Sequence, residues 1–109
     1  MAGGLERGEV RLCRFPRPDK ERPVLVLTRG AALEYLSRVT VAPVTSTIRG
    51  VPSEVLLGIE DGMRGPSVVN LHNLVTVDRK ALGRCVARLS AVTMREVCGA
   101  IAFALGCDR

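Results

Sequence analysis

Short apolar runs broken by glycine, proline and charge fill the chain up to Leu89, and a helical period replaces them afterwards. Residues Glu9 to Phe15 read as a first strand, with Val10 and Leu12 sharing a face and Pro16 and Pro18 ending it. Val24 to Leu27 is apolar without alternation, which predicts a strand buried on both faces or the core of a closed barrel. After Gly30, Ala31 to Leu36 has the makings of a short helical turn. A third strand begins at Val39, and Pro43 within it argues for an edge or a bulge. Further short strands follow at Glu54–Leu57, Ser67–Leu71, Leu74–Val77 and Arg84–Leu89, separated by the turns Arg49-Gly50-Val51-Pro52 and Asp61-Gly62-Met63-Arg64-Gly65-Pro66. Many short strands with frequent Gly/Pro turns predict a mainly β fold, a small barrel or sandwich.

The last segment predicts a helix. Ser90 is a natural N-cap, and Leu89 and Met94 occupy the two positions of a hydrophobic staple. Met94, Val97, Cys98, Ile101 and Leu105 recur at helical spacing and define the expected buried face. Gly106 supplies a left-handed stop.

With 109 residues the chain is expected to form one domain over its whole length, 1–109. At 47% hydrophobic residues, disorder is not expected. No apolar run reaches the ~18 residues of a membrane span. The start, Met1 to Arg7, lacks the apolar stretch of a secretory signal, so a cytoplasmic location is expected. The cysteines Cys13, Cys85, Cys98 and Cys107 form no Cys-x-x-Cys pair, and the lone His72 completes no zinc spacing, so they read as buried thiols and no metal is expected. A net charge of +5, carried mainly by arginine, favours a polyanionic partner such as nucleic acid or an acidic peptide. Phe15, Tyr35 and Phe103 are too few to build a platform for stacking bases. A site that handles a phosphate fits this composition better than a groove that stores bases.

Two strand ends carry groups suited to that task. Arg22 stands just before the apolar core of the second strand, and Thr45 and Ser46 stand just after that of the third. Guanidinium forks match phosphate oxygens, and a threonine hydroxyl is a compact donor. If the strands are neighbours, one anion touches both ends. On spacing alone an exposed salt bridge is the plainer reading of Arg22, and local backbone bonding that of Thr45 and Ser46.

Taken in order, Arg7-Gly8-Glu9-Val10, Arg22-Pro23-Val24-Leu25-Val26-Leu27, Pro43-Val44-Thr45-Ser46, Thr76-Val77-Asp78-Arg79, Leu82-Gly83 and Leu89-Ser90 with the final helix resemble the MazF/PemK toxins over nearly the whole chain. The resemblance implies an SH3-like barrel with a C-terminal helix, a homodimer without cofactor, and metal-free cutting of single-stranded RNA. It also implies a MazE-like antitoxin whose acidic, partly disordered tail covers the active-site grooves. By the same resemblance Arg22 and Thr45 are the catalytic pair, and Ser46, Arg17, Lys20 and Asn73 are candidate RNA contacts. His72 falls where relatives often hold a carboxylate and is the candidate base. The loop before Arg22 is Pro16-Arg17-Pro18-Asp19-Lys20-Glu21, which lacks the Gly-x-Glu-Gln segment of many members.

Two other functions compete. A CcdB-like toxin of the same fold acts by binding DNA gyrase, in a manner that resembles insertion of a tryptophan-bearing tail. This chain has no tryptophan. A plain SH3-like peptide-binding module needs an aromatic groove that three aromatic residues cannot line.

Overall fold

Strand β3 (Arg38–Thr45) organises the molecule, because three other strands pair with it. The computed structural model describes residues 4–16 and 21–108. Around β3 stand β1 (Glu9–Arg14), β2 (Glu21–Val26), β4 (Glu54–Leu57), β5 (Ser67–Asn70), β6 (Val75–Asp78) and β7 (Leu82–Arg88). The helices are α1 (Gly30–Leu33) and α2 (Ala91–Leu105). Strand order is β4-β5-β3-β2-β1-β7, antiparallel throughout, with β6 beside the first half of β3. The result is the expected mainly β fold with a C-terminal helix, in the form of a curved half-barrel.

Two apolar clusters share the central strands. Leu25, Leu27, Ala42 and Val44 face a core closed by Met94, Val97 and Ala100 of α2. Val24, Val26, Val39 and Val41 face a second core with Leu33 of α1, Cys13 and Val77. Burial on both faces is why Val24–Leu27 shows no alternation.

Pro43 lies in a strand with three partners, yet it is paired on one side only, with Val24 of β2, so β3 is locally an edge there as expected. Beside it, β6 pairs only as far as Val41 and β5 begins at Val44. Thr40 turns both its N–H and its C=O toward the β2 side, to Thr28 Oγ1 (2.9 Å) and Leu27 N (3.0 Å). Alternation therefore points the N–H that proline lacks into the gap between β6 and β5, where no strand is present to accept it.

Helix α2 begins and ends as expected. Ser90 Oγ accepts from Thr93 N–H at 3.1 Å, and Gly106 stops the helix at φ 74. Its buried face is shifted from the expected one. Met94, Val97 and Ala100 are buried and Ile101 packs against them, while Cys98 and Leu105 are exposed. Of the cysteines, all free thiols, only Cys13 is buried; Cys85 is half-buried, and Cys98 and Cys107 are exposed. No helix among the described residues is long and apolar enough to cross a membrane.

The opening Arg7-Gly8-Glu9-Val10 ties the chain's start to its end. Gly8, at φ 96, donates to Val26 O (2.9 Å) and accepts from Leu89 N (3.0 Å), against the Met94 side chain. Arg7 Nε donates to Leu27 O at 3.1 Å. Glu9 is only 1% exposed and its Oε1 accepts from Arg11 Nε at 2.7 Å and from Glu6 N–H at 3.1 Å. Arg88 Nη2 lies 3.1 Å from Glu9 Oε2, close enough for an ion pair though not aligned as a hydrogen bond.

Candidate active site

The β2–β3 register decides where the predicted phosphate-binding groups meet. Val24 stands opposite Pro43, Leu25 opposite Ala42 and Val26 opposite Val41. Continued outward by two residues, the same register sets Arg22 opposite Thr45. Both line one open cleft of about 630 Å³, together with Ser46. The expectation that adjacent strand ends converge is met.

Leu12, Pro23, Val44, Met63 and Val86 supply the apolar surface of this cleft, and its polar groups are Arg22, Thr45, Ser46, Arg64, Ser67 and Arg84. Leu12 pairs with Pro23, and the continued register puts Val44 beside them, so the floor is a row across β1, β2 and β3. Three guanidinium groups and no acidic side chain among the described lining residues give the cleft a positive field.

Thr45 Oγ1 accepts the N–H of Thr47 at 3.1 Å. That local bond is the one expected of a strand-ending threonine. It also orients the hydroxyl and leaves its proton to be donated outward, so the structural and chemical readings of Thr45 are compatible. Ser67 is buried, and its Oγ donates to Gly65 O at 3.5 Å, holding the loop that carries Arg64.

His72 and Asn73 do not line the cleft of this protomer; both are exposed in the turn after β5. His72 Nδ1 lies 2.5 Å from Ser53 Oγ, and the His72 backbone N–H donates to Asn70 Oδ1 at 3.2 Å. Neighbouring Glu54 accepts from Gly50 N–H (2.9 Å) and Arg49 N–H (3.1 Å). Burial opposes the Glu54 charge, but these N–H donors and the nearby imidazole hold its pKa below the usual carboxylate value. Ser67 begins β5 inside the cleft, and His72 follows in the turn after the strand ends at Asn70. Arg17 and Lys20 lie outside the described residues.

Sequence reasoning missed Arg64 and Arg84. The Gly- and Pro-rich turn around Arg64 signalled an exposed loop but not the direction in which it folds. Arg84 owes its place to an irregularity in strand pairing, which no local pattern announces. Among the described residues, no cluster of His, Cys, Asp or Glu converges as a metal site.

Comparison with known proteins agrees with this geometry. Residues 6–105 match the family of PemK-like, MazF-like toxins of type II toxin–antitoxin systems. A probable endoribonuclease MazF5 of Mycobacterium tuberculosis is 41% identical over 104 residues, covering 94% of each chain. Endoribonuclease MazF3 of the same organism is 41% identical over 90 residues, covering 83% of this chain and 87% of that protein. Among solved structures, the M. tuberculosis toxin MazF-mt6 superposes with a TM-score of 0.84 at 37% identity, covering 93% of this chain and 99% of its own. A mycobacterial endoribonuclease in complex with its cognate antitoxin gives 0.83 at 28% identity, covering 94% and 95%. The cleft therefore sits in a chain that belongs to the PemK-like, MazF-like toxins of type II toxin–antitoxin systems.

Proposed function

We propose that the protein is a toxin endoribonuclease that cuts single-stranded RNA by attack of the substrate's own 2′-hydroxyl on the adjoining phosphorus. The products are a 2′,3′-cyclic phosphate and a 5′-hydroxyl end, and loss of cellular RNA halts translation and growth. The observation that carries this reading is that Arg22 and Thr45, from adjacent strands, line one cleft with Arg64 and Arg84 and no acidic side chain among its described lining residues.

The attack loads extra negative charge onto the phosphoryl oxygens, and fixed donors aimed at that charge lower the barrier. Arg22 clamps those oxygens and assists the departing 5′-oxygen. Thr45 donates its oriented proton to the same group, and Ser46 adds a contact at the rim. Removal of the 2′-proton is assigned to His72, whose neutral imidazole offers a ring nitrogen that can accept a proton. Because His72 lies outside its own cleft, this role joins the nuclease to a homodimer: the exposed turn of one copy serves the cleft of the other. Asn73 in that turn, and Arg17 and Lys20 before β2, are the remaining proposed RNA contacts. The acidic tail of a MazE-like antitoxin would compete with RNA for the same positive surface, in the cytoplasm where both are made.

Arg22→Ala tests the reading. With one charge-stabilising donor removed, RNA cleavage should fall about 10²–10³-fold while the fold persists, since Arg22 is exposed. Cleavage near the wild-type rate would remove the proposal. A gyrase-directed action receives no comparable support, because nothing in the described structure resembles a tryptophan-bearing tail.

A further inference from the structure

We infer that Arg84 is a substrate-positioning residue which grips an RNA phosphate flanking the one that is cut. The inference rests on the nuclease reading and assigns a role that Arg22 and Thr45 cannot fill.

Three observations carry it. Arg84 lines the same cleft as Arg22 and Thr45, but from β7, on the far side of β1. The pairing of β1 with β7 slips by one residue between Cys13↔Leu82 and Arg11↔Cys85, so Gly83 and Arg84 together face Leu12. An extra residue of this kind bends a strand and re-aims a side chain, and such bulges recur beside active sites. Lastly, Arg84 is exposed and makes no hydrogen bond or ion pair with another described residue. By contrast, Arg11 and Arg88 at either side are committed to Glu9 and Glu6.

Two strand spacings separate β7 from β2, about 10 Å between backbones. That distance suits neighbouring phosphates on an extended strand better than two donors crowded on one. The apolar row of Leu12 and Pro23 lies between, where a sugar or base edge rests without competing hydrogen bonds. Arg84 thus binds equally in ground and transition states, which lowers KM and leaves kcat alone.

The test uses the full-length protein and an RNA oligonucleotide containing a cleavage sequence mapped with the wild type. A 2′-deoxy sugar at the cut point prevents cleavage during binding measurements. Arg84→Gln should weaken binding about tenfold, the scale of one charge-assisted contact in an open site, with kcat at saturation within about twofold of wild type. Its slope of log affinity against log salt should shrink by about 0.7, the value for one phosphate released on a single strand. Arg84→Lys should restore the slope. A neutral methylphosphonate, moved along the flanking phosphates, should weaken wild-type binding at one position and leave Arg84→Gln indifferent there. An unchanged salt slope, or a collapse of kcat at unchanged affinity, overturns the assignment. A wild type that cuts no RNA sinks the nuclease reading and this role with it, whereas a cutting wild type with an unaltered Arg84→Gln slope sinks this role alone.

Discussion

Replacing Glu9 with glutamine removes a negative charge from inside the fold while keeping the side chain's shape. Glu9 is 1% exposed, with Arg11 at 2.7 Å and Arg88 at 3.1 Å. Stripping one partner from a buried ion pair commonly costs about 3–5 kcal/mol, because the other charge is stranded. Here neither cation is stranded. Arg11 retains Gly83 O at 2.9 Å, and Arg88 is largely in water with Glu6 at 2.7 Å. The expected loss is accordingly smaller, about 2 kcal/mol, close to one charge-assisted hydrogen bond. For a domain of this size that lowers Tm by roughly 8 °C. Burial opposes the Glu9 charge, but the Arg11 hydrogen bond, the Glu6 N–H and both cations hold its pKa below the ordinary value. A depressed carboxylate stabilises the fold above its unfolded pKa, about 4.3, and that contribution disappears as pH falls toward the lower folded value. Urea unfolding of wild type and Glu9→Gln should therefore show a constant gap from pH 7 down to about 5, narrowing below about 4.3. A gap that stays constant to pH 3, or one under about 0.5 kcal/mol at pH 7, the usual size of a neutral surface change, refutes the reasoning.

Thr45→Val should slow RNA cleavage about 10²-fold, and Thr45→Ser should recover most of it, because the proposed role belongs to the hydroxyl and not the methyl; equal rates for the two variants would count against a chemical role. Arg22→Ala and His72→Gln should each be inactive alone, yet unfolding and refolding the two together should restore roughly a quarter of wild-type activity, since half of randomly paired dimers then hold one intact site of two. No recovery would confine His72 to its own protomer and to holding the turn. Loss of the Ser90 cap in Ser90→Ala should cost about 1 kcal/mol by denaturant unfolding with catalytic constants unchanged; a loss within error would mean that the Thr93 N–H finds water as readily.

What the sequence disclosed was whatever local chemistry alone determines. Ser90 and Gly106 bracket α2 because capping depends on the few residues beside a helix end. The unbroken Val24–Leu27 run announced burial on two faces, and two cores share it. Cys98 and Leu105 were misplaced because periodicity orients a helix but does not say how far its neighbour extends. Pro43 announced a one-sided position, but not its cause, which is β6 ending and β5 starting on one flank, both far along the chain. The Arg7-Gly8-Glu9-Val10 motif was legible as a signature, yet its work is structural: a left-handed glycine and a buried carboxylate that lock β1 in place. Arg22 and Thr45 were readable because each ends an apolar run; Arg84 was not, since its direction arises only when β7 slips against β1.

That β1–β7 pairing also decides when the cleft is whole. Residues 9–14 find their second partner only in residues 82–88, far along the chain. Arg22 and Thr45 come from β2 and β3, but the wall holding Arg84 and Val86 comes from β7. Contacts of such long sequence separation form late in folding. A cleft assembled this way is whole only when β7 has closed against β1, so a chain in which that pairing has not formed holds Arg22 and Thr45 without the wall opposite them.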